Sequence, residues 1–221
     1  MQEWDTYWSG NIKFHNVAFD HIATLYRKYI IKPYLKKYIN SYFPGNATLL
    51  HAGCGGGQVE DKTTSNNTVI GMDISKNAIS LYEKYHINPN LIHGDIMAIG
   101  LKNESVDGIY NLGVMEHFSE PEIQLIMHEF KRILKPDGTI ILFWPPKYGS
   151  TVITLKCIHF IYNNILHKNI QLHPLEPSLV RSQKQVESII KKSGLNIISY
   201  HFSITDLFTQ TVIIIKKTKV T

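Results

Sequence analysis

Between Asn16 and Tyr42, Val17, Ile22, Leu25, Tyr29, Ile30, Tyr34, Leu35, Tyr38 and Ile39 recur at helical spacing, which predicts an amphipathic helical prelude. Pro33 removes a backbone donor inside this run, so two helices or one kinked helix are expected. Pro44-Gly45-Asn46 turns the chain into the β-prone run Thr48-Leu49-Leu50, read as a buried first strand. Gly53, Gly55, Gly56 and Gly57 follow at once, so backbone there can lie against a ligand with no Cβ in the way. A helix start is expected after them. Val69-Ile70-Gly71-Met72 is then a second strand that ends on Asp73. Ser75 can cap a helix through Tyr85 with Ile79 and Tyr82 inward. Leu91-Ile92-His93 is a short third strand and residues 106–110 a fourth.

Ser119 and Glu122 form a capping box for a helix to about Leu134. Lys135-Pro136-Asp137-Gly138 reads as a turn and residues 139–144 as the fifth strand. Pro145-Pro146 breaks the alternation, and residues 148–167 read as an inserted helix with a wide apolar face. Lys156, His159, Asn163 and His167 share one stripe of it. That face suits a cap over the site or attachment to a membrane surface. Leu172 to Val180 reads as loop, and Ser182 with Gln185 caps a helix that Gly194 ends. Residues 195–202 and 211–215 close the chain as two short-linked, antiparallel strands. Strands alternating with helices predict an α/β chain, a Rossmann-like doubly wound sheet that is mostly parallel with its last strand antiparallel. One domain spans 1–221: an N-terminal helical or lid region (1–42), a core (43–146), an inserted helical cap (147–180) and a closing helix with strands (181–221).

Composition adds bounds rather than a function. The 221 residues suffice for a sizeable core. No apolar run is long enough to span a bilayer, and MQEWDTYWSG lacks the pattern of a secretory leader. Cys54 and Cys157 show no disulfide framework or metal-ligand spacing, which suits a reducing cytoplasm. The net charge of +5 permits an anionic partner, but the basic residues are scattered and a solvated surface is expected. Trp4, Tyr7, Trp8, Phe14 and His15 predict that the first fifteen residues fold onto something, either the outside of the domain or the site itself.

The pieces LLHAGCGGG, VIGMDIS, HGDI, VDGIYNLGVMEHF and RILKPDGTIILF stand in an order and spacing that resemble the class I S-adenosylmethionine-dependent methyltransferases, of the small-molecule type grouped with ubiquinone and sugar methyltransferases. The resemblance covers residues 47–144 and implies a seven-stranded sheet. It implies that Gly53, Gly55 and Gly57 approach the methionine part of S-adenosyl-L-methionine, that Asp73 holds the ribose and that Ile74 lies on the adenine. Asp95 and Ile96 would face the adenine, and Asn111 with Leu112 would line the sulfonium and open onto the acceptor. The product would be S-adenosyl-L-homocysteine. Two positions depart from the pattern. His51 stands where the family usually has a carboxylate near the cofactor's amino group. Gly113 stands where some quinone methyltransferases carry a metal-binding glutamate, so no metal is expected. A dinucleotide fingerprint needs glycine at the sixth position, which is Gln58.

His117 is the first candidate for a general base, with Glu116 beside it, because the pair follows the fourth strand at the sheet's carboxyl edge. Alternatively both orient the loop and the next helix. His159 and His173 rank below, and His93 and His201 read as structural. The expected activity is methyl transfer to a small-molecule, glycan or lipid-intermediate acceptor, at oxygen, with peripheral membrane contact open and nucleic acid not expected. An RNA or protein methyltransferase, or a binding module without catalysis, are the competing readings.

Overall fold

A computed structural model describes residues 2–9, 24–43, 45–60, 66–168 and 175–217. Seven strands form one sheet: β1 (Thr48–Ala52), β2 (Thr68–Asp73), β3 (Asn90–His93), β4 (Val106–Leu112), β5 (Leu134–Trp144), β6 (Leu195–Phe202) and β7 (Thr211–Lys217). Their order is β3-β2-β1-β4-β5-β7-β6. The first five run parallel, and β7 lies antiparallel to both of its neighbours. The order reverses between β1 and β4. Ligands of such sheets sit at this switch point, outside the carboxyl ends of the strands.

Both faces of the sheet are covered, which is why Ile140-Ile141-Leu142-Phe143 and Val212-Ile213-Ile214-Ile215 are apolar without alternation. On one face Leu50, Ile109, Leu142 and Trp144 pack with Ile123, Met127 and Phe130 of helix α4 (Glu120–Ile133) and Val186 and Ile189 of α6 (Gln183–Lys192). On the other, Leu49, Tyr110, Ile141 and Phe143 meet Tyr34, Leu35 and Tyr38 of α2 (Lys32–Tyr42). Helix α3 (Lys76–Tyr85) starts at Ser75, whose Oγ accepts the Ala78 N–H at 3.2 Å. The box that starts α4 is made by Glu122, whose Oε2 accepts the Ser119 N–H at 2.8 Å. Before all of these lies α1 (Gln2–Trp8), and β5 leads into α5 (Ser150–Phe160).

Four elements narrow or differ from the sequence expectations. Of the two forms expected around Pro33, two separate helices are not seen: a π-helical turn (Arg27–Ile31) just ahead of it runs on into Lys32–Tyr42, and the Lys32 N–H still reaches the Arg27 carbonyl. The Lys135–Gly138 turn lies within β5, because Leu134 already pairs with Val106 and the ladder is irregular between Val106 and Gly108. Asp137 takes a left-handed φ of 64° there. The helix start expected after the glycines is absent among the described residues: 53–60 and 66–67 make turns. Thr63-Thr64-Ser65-Asn66-Asn67 are poor helix formers, and the Asn67 amide instead binds the Phe43 carbonyl and the Ala47 N–H. The inserted helix begins at Ser150 and finishes in a second π turn (Ile161–Ile165).

Val17 and Ile22 of the prelude, Phe14, His15, Pro44, His173 and Pro174 lie outside the described residues. No helix among those described is long and apolar enough to cross a membrane.

Candidate functional site

The chain leaves β1 through three glycines in left-handed conformations, Gly53, Gly55 and Gly57, with φ of 71°, 52° and 69°. A side chain at any of the three is strained. A Cβ on Gly53 would stand 2.6 Å from Val114, and one on Gly57 2.6 Å from Tyr82. Asp73 at the end of β2 organises the loop: its two oxygens accept the Gly55 N–H at 2.8 Å and the Ser75 N–H at 2.9 Å. Burial nevertheless raises its pKa above the ordinary value, more than these bonds lower it. Each oxygen keeps a lone pair for a ligand hydroxyl.

His51, on β1 two residues before Gly53, is buried on the α2 face. The β1–β4 register sets it opposite Tyr110, and the rings stack with centroids 4.5 Å apart. Its Nδ1 lies 2.5 Å from Glu60 Oε1, a charge contact without hydrogen-bond alignment. The Tyr110 hydroxyl donates to the same oxygen at 2.6 Å. Burial opposes ionisation of Glu60, but the close contact with His51 and the bond from Tyr110 outweigh it and hold its carboxyl below the usual range. Sequence reasoning missed Glu60. The signal for it was an acid shortly after the glycines, in a chain that carries a histidine where an acid is expected.

At the end of β4, Asn111 is fully buried and neither its Oδ1 nor its Nδ2 meets a partner. Beyond it a short 3₁₀ turn (Met115–His117) carries Glu116 and His117. Glu116 is buried, its Oε2 is also unpartnered, and Oε1 sits 3.1 Å from where a Gly113 Cβ would be. Desolvation lifts its pKa to about 8. His117 Nδ1 lies 3.0 Å from the Leu175 carbonyl, which can only accept. Its Nε2 therefore is the proton-accepting nitrogen of the neutral ring. That Nε2 lies 3.8 Å from Glu116 Oε1, too long for a direct bond. A strap ending at Val180 ties this turn down: the Ser178 N–H donates to the Glu116 carbonyl and Trp144 Nε1 to the Ser178 carbonyl at 2.6 Å.

Helix α1 crosses this edge. Asp5 Oδ1 accepts the Ser75 hydroxyl at 2.7 Å, and the Trp8 ring fills the space a Gly55 Cβ would need, 2.5 Å from it. Trp4 meets His117 edge-on at 4.9 Å. Of the remaining expected residues, Ile74 and Asp95 are half-buried, Ile96 is buried and Leu112 half-buried beside Asn111. Asp95 Oδ1 accepts the Met97 N–H at 2.8 Å. His93 bonds the Ile74 carbonyl, and His159 lies on α5. No cluster of His, Cys, Asp and Glu among the described residues could hold a metal.

A family model for a methyltransferase domain matches residues 50–142. A protein of Schizosaccharomyces pombe named as an uncharacterized methyltransferase is 26% identical over 169 residues, 69% of this chain and 66% of that protein, just under two thirds of its length. A Methanococcus maripaludis protein provisionally named an S-adenosyl-L-methionine-dependent methyltransferase shares the fold, with TM-score 0.64 over 92% of each chain at 19% identity. Residues 50–142 match a methyltransferase domain, and together with the fold they support a class I S-adenosylmethionine-dependent methyltransferase. The [4+2]-cyclase SpnF has the same fold, with TM-score 0.59, 13% identity and coverage of 83% of this chain and 80% of that one. Such a likeness speaks to the fold alone.

The residues of this methyltransferase domain fit S-adenosylmethionine, which the family implies. The left-handed glycines leave backbone bare, Asp73 has acceptor capacity at the end of β2, and the buried Asn111 amide has both ends unpartnered. A fully buried amide with no partner costs several kcal/mol unless a ligand satisfies it.

Proposed function

We propose that this chain transfers the methyl group of S-adenosylmethionine to an oxygen of a small-molecule, glycan or lipid-intermediate acceptor. The observation that carries the reading is the end of β4, where Asn111 and Glu116 hold unpartnered buried polar atoms beside His117. When bound, the cofactor supplies an activated methyl on a sulfonium. The chain's own residues then have three tasks. The glycine loop and Asp73 hold the donor, and Asn111 orients what lies at the end of β4. Helix α1 excludes water, with Trp8 on Gly55 and Trp4 on His117. His117 takes the proton from the acceptor hydroxyl on Nε2, because Nδ1 is committed to the Leu175 carbonyl. Glu116, neutral around pH 7, places no negative charge beside that nitrogen.

The test is a labelled-methyl transfer screen against extract fractions, with mass spectrometry of the labelled product. The expected result is label on an oxygen of a non-polymeric acceptor, with His117→Gln lowering kcat by about 10²–10⁴-fold while S-adenosylhomocysteine affinity stays within a few-fold. Label on a nitrogen, on RNA or on protein would overturn the proposal.

A further inference from the structure

Large apolar side chains stand exposed on three elements that the fold brings to one side of the sheet's carboxyl edge. On α5 and its π turn, Val152 is buried, while Phe160 and Ile165 are each 60% exposed. On the β6–β7 loop, Ile204 is 69% and Leu207 53% exposed, with Phe208 beside them. On the turn leading into α2, Tyr29 is 62% exposed. Hydrogen bonds join these elements. The Ser150 hydroxyl, at the start of α5, donates to the Leu207 carbonyl at 2.6 Å and its N–H to the Phe208 carbonyl at 3.2 Å. Tyr26, one turn before Tyr29, lies beside Thr209 and Gln210 of the same loop.

Charge is distributed as sharply as apolarity. The 18 acidic residues are spread over the chain, yet none occurs in residues 21–59 or 138–175. Those stretches hold Arg27, Lys28, Lys32, Lys36 and Lys37 and then Lys147, Lys156 and Lys168. The one acid on the loop between them, Asp206, is fully buried, and burial raises its pKa toward the neutral form. Four of the lysines lie over aromatic rings, Lys28 over Tyr29 at 5.1 Å, Lys37 over Tyr38 at 5.9 Å, Lys147 over Tyr148 at 5.4 Å and Lys168 over Tyr162 at 6.0 Å. Aromatic bodies with ammonium tips are what sits comfortably between hydrocarbon and charged headgroups.

We propose that this face docks on an anionic phospholipid surface, with Phe160, Ile165, Ile204 and Leu207 entering the acyl boundary and the lysines meeting the headgroups. Charge decides among occupants. A second copy of the same face would set cations against cations with no carboxylate to offset them. A nucleic-acid backbone would satisfy the lysines but leave the apolar side chains uncovered. A bilayer with anionic headgroups meets both needs. The proposal is independent of the acceptor: docking would hold for a soluble or a lipid-linked one.

The test is co-sedimentation of the full chain with phosphatidylcholine vesicles, with and without about one third phosphatidylglycerol. The expected result is binding to the anionic vesicles only, weakened by salt. The pair Lys156→Gln and Lys168→Gln should lower the partition coefficient by about 25-fold. The pair Phe160→Ser and Ile165→Ser should abolish binding while S-adenosylhomocysteine affinity, measured by calorimetry, is unchanged, which shows that the variant is folded. Equal binding to neutral vesicles, or no loss in either variant pair, would overturn the proposal. So would self-association lost on Phe160→Ser, or transfer RNA displacing the protein from vesicles.

Discussion

Replacing Glu116 by Gln should stabilise the protein, and by an amount that depends on pH. In the folded chain this carboxyl has one oxygen with no partner, and its other oxygen is too far from His117 to be held ionised. Desolvation therefore wins, and the pKa rises from 4.5 to about 8. Below pH 4.5 the group is protonated both folded and unfolded and adds no pH dependence. Above that value the unfolded chain loses a proton that the folded chain retains. Stability then falls with pH, by up to about 1.4 kcal/mol per unit. The fall ends above pH 8, where both states are ionised. Gln copies the neutral acid in shape and does not titrate. The variant should match the wild type near pH 4.5, exceed it by about 3 kcal/mol at pH 7 and by roughly 4–5 kcal/mol at pH 9. Urea unfolding followed by circular dichroism reads this directly. With a slope of about 2–3 kcal/mol/M, the midpoint should rise by about 1–1.5 M at pH 7. Parallel curves for the two proteins from acid to alkaline pH, or a variant less stable at neutral pH, would refute the assignment of a neutral buried acid. A stabilised variant with lost transfer activity is what a strained functional site predicts.

Asp73→Ala removes the acceptor of two backbone bonds and, on the proposed reading, the carboxylate that would hold the ribose, so calorimetry should show S-adenosylhomocysteine affinity reduced by about 30-fold or more. Gly57→Ala puts a Cβ 2.6 Å from Tyr82 at a left-handed φ, and thermal unfolding should report a loss of about 1–3 kcal/mol. Glu60→Gln breaks the buried pair with His51, which should cost about 3–5 kcal/mol at neutral pH. Because the folded pKa of Glu60 is depressed, its contribution is present above the ordinary carboxylate value and is lost as pH falls through the folded one. The wild-type and variant stabilities should therefore converge in acid, and a gap that persists there would count against the pair. Trp8→Ala uncovers Gly55, and quenching of the remaining tryptophans by acrylamide or a faster S-adenosylhomocysteine off-rate should register the opened edge.

What could be read from the chain alone was whatever a short stretch determines by itself. The glycines, Asp73 at its strand end, the Ser119–Glu122 box and the two-sided apolar strands each follow from local sterics, capping or burial, and they stand where periodicity put them. Features that depend on which strands become neighbours were not legible. Lys135-Pro136-Asp137-Gly138 carries every turn signal, yet pairing of Leu134 with Val106 draws it into β5. The contact of α1 with Gly55 and His117 joins residues far apart in sequence, and aromatic composition predicted only that the segment packs somewhere. His51 is the sharpest instance. Taken alone it is a lost carboxylate beside the glycine loop. The register that places Tyr110 beside it, and a turn in place of a helix after Gly57, bring Glu60 to within 2.5 Å of its ring. A carboxylate is thus present next to β1 after all, supplied from nine residues downstream of His51 and held ionised by the histidine that displaced it. The departure from the family pattern is half of a pair, and only the fold shows the other half.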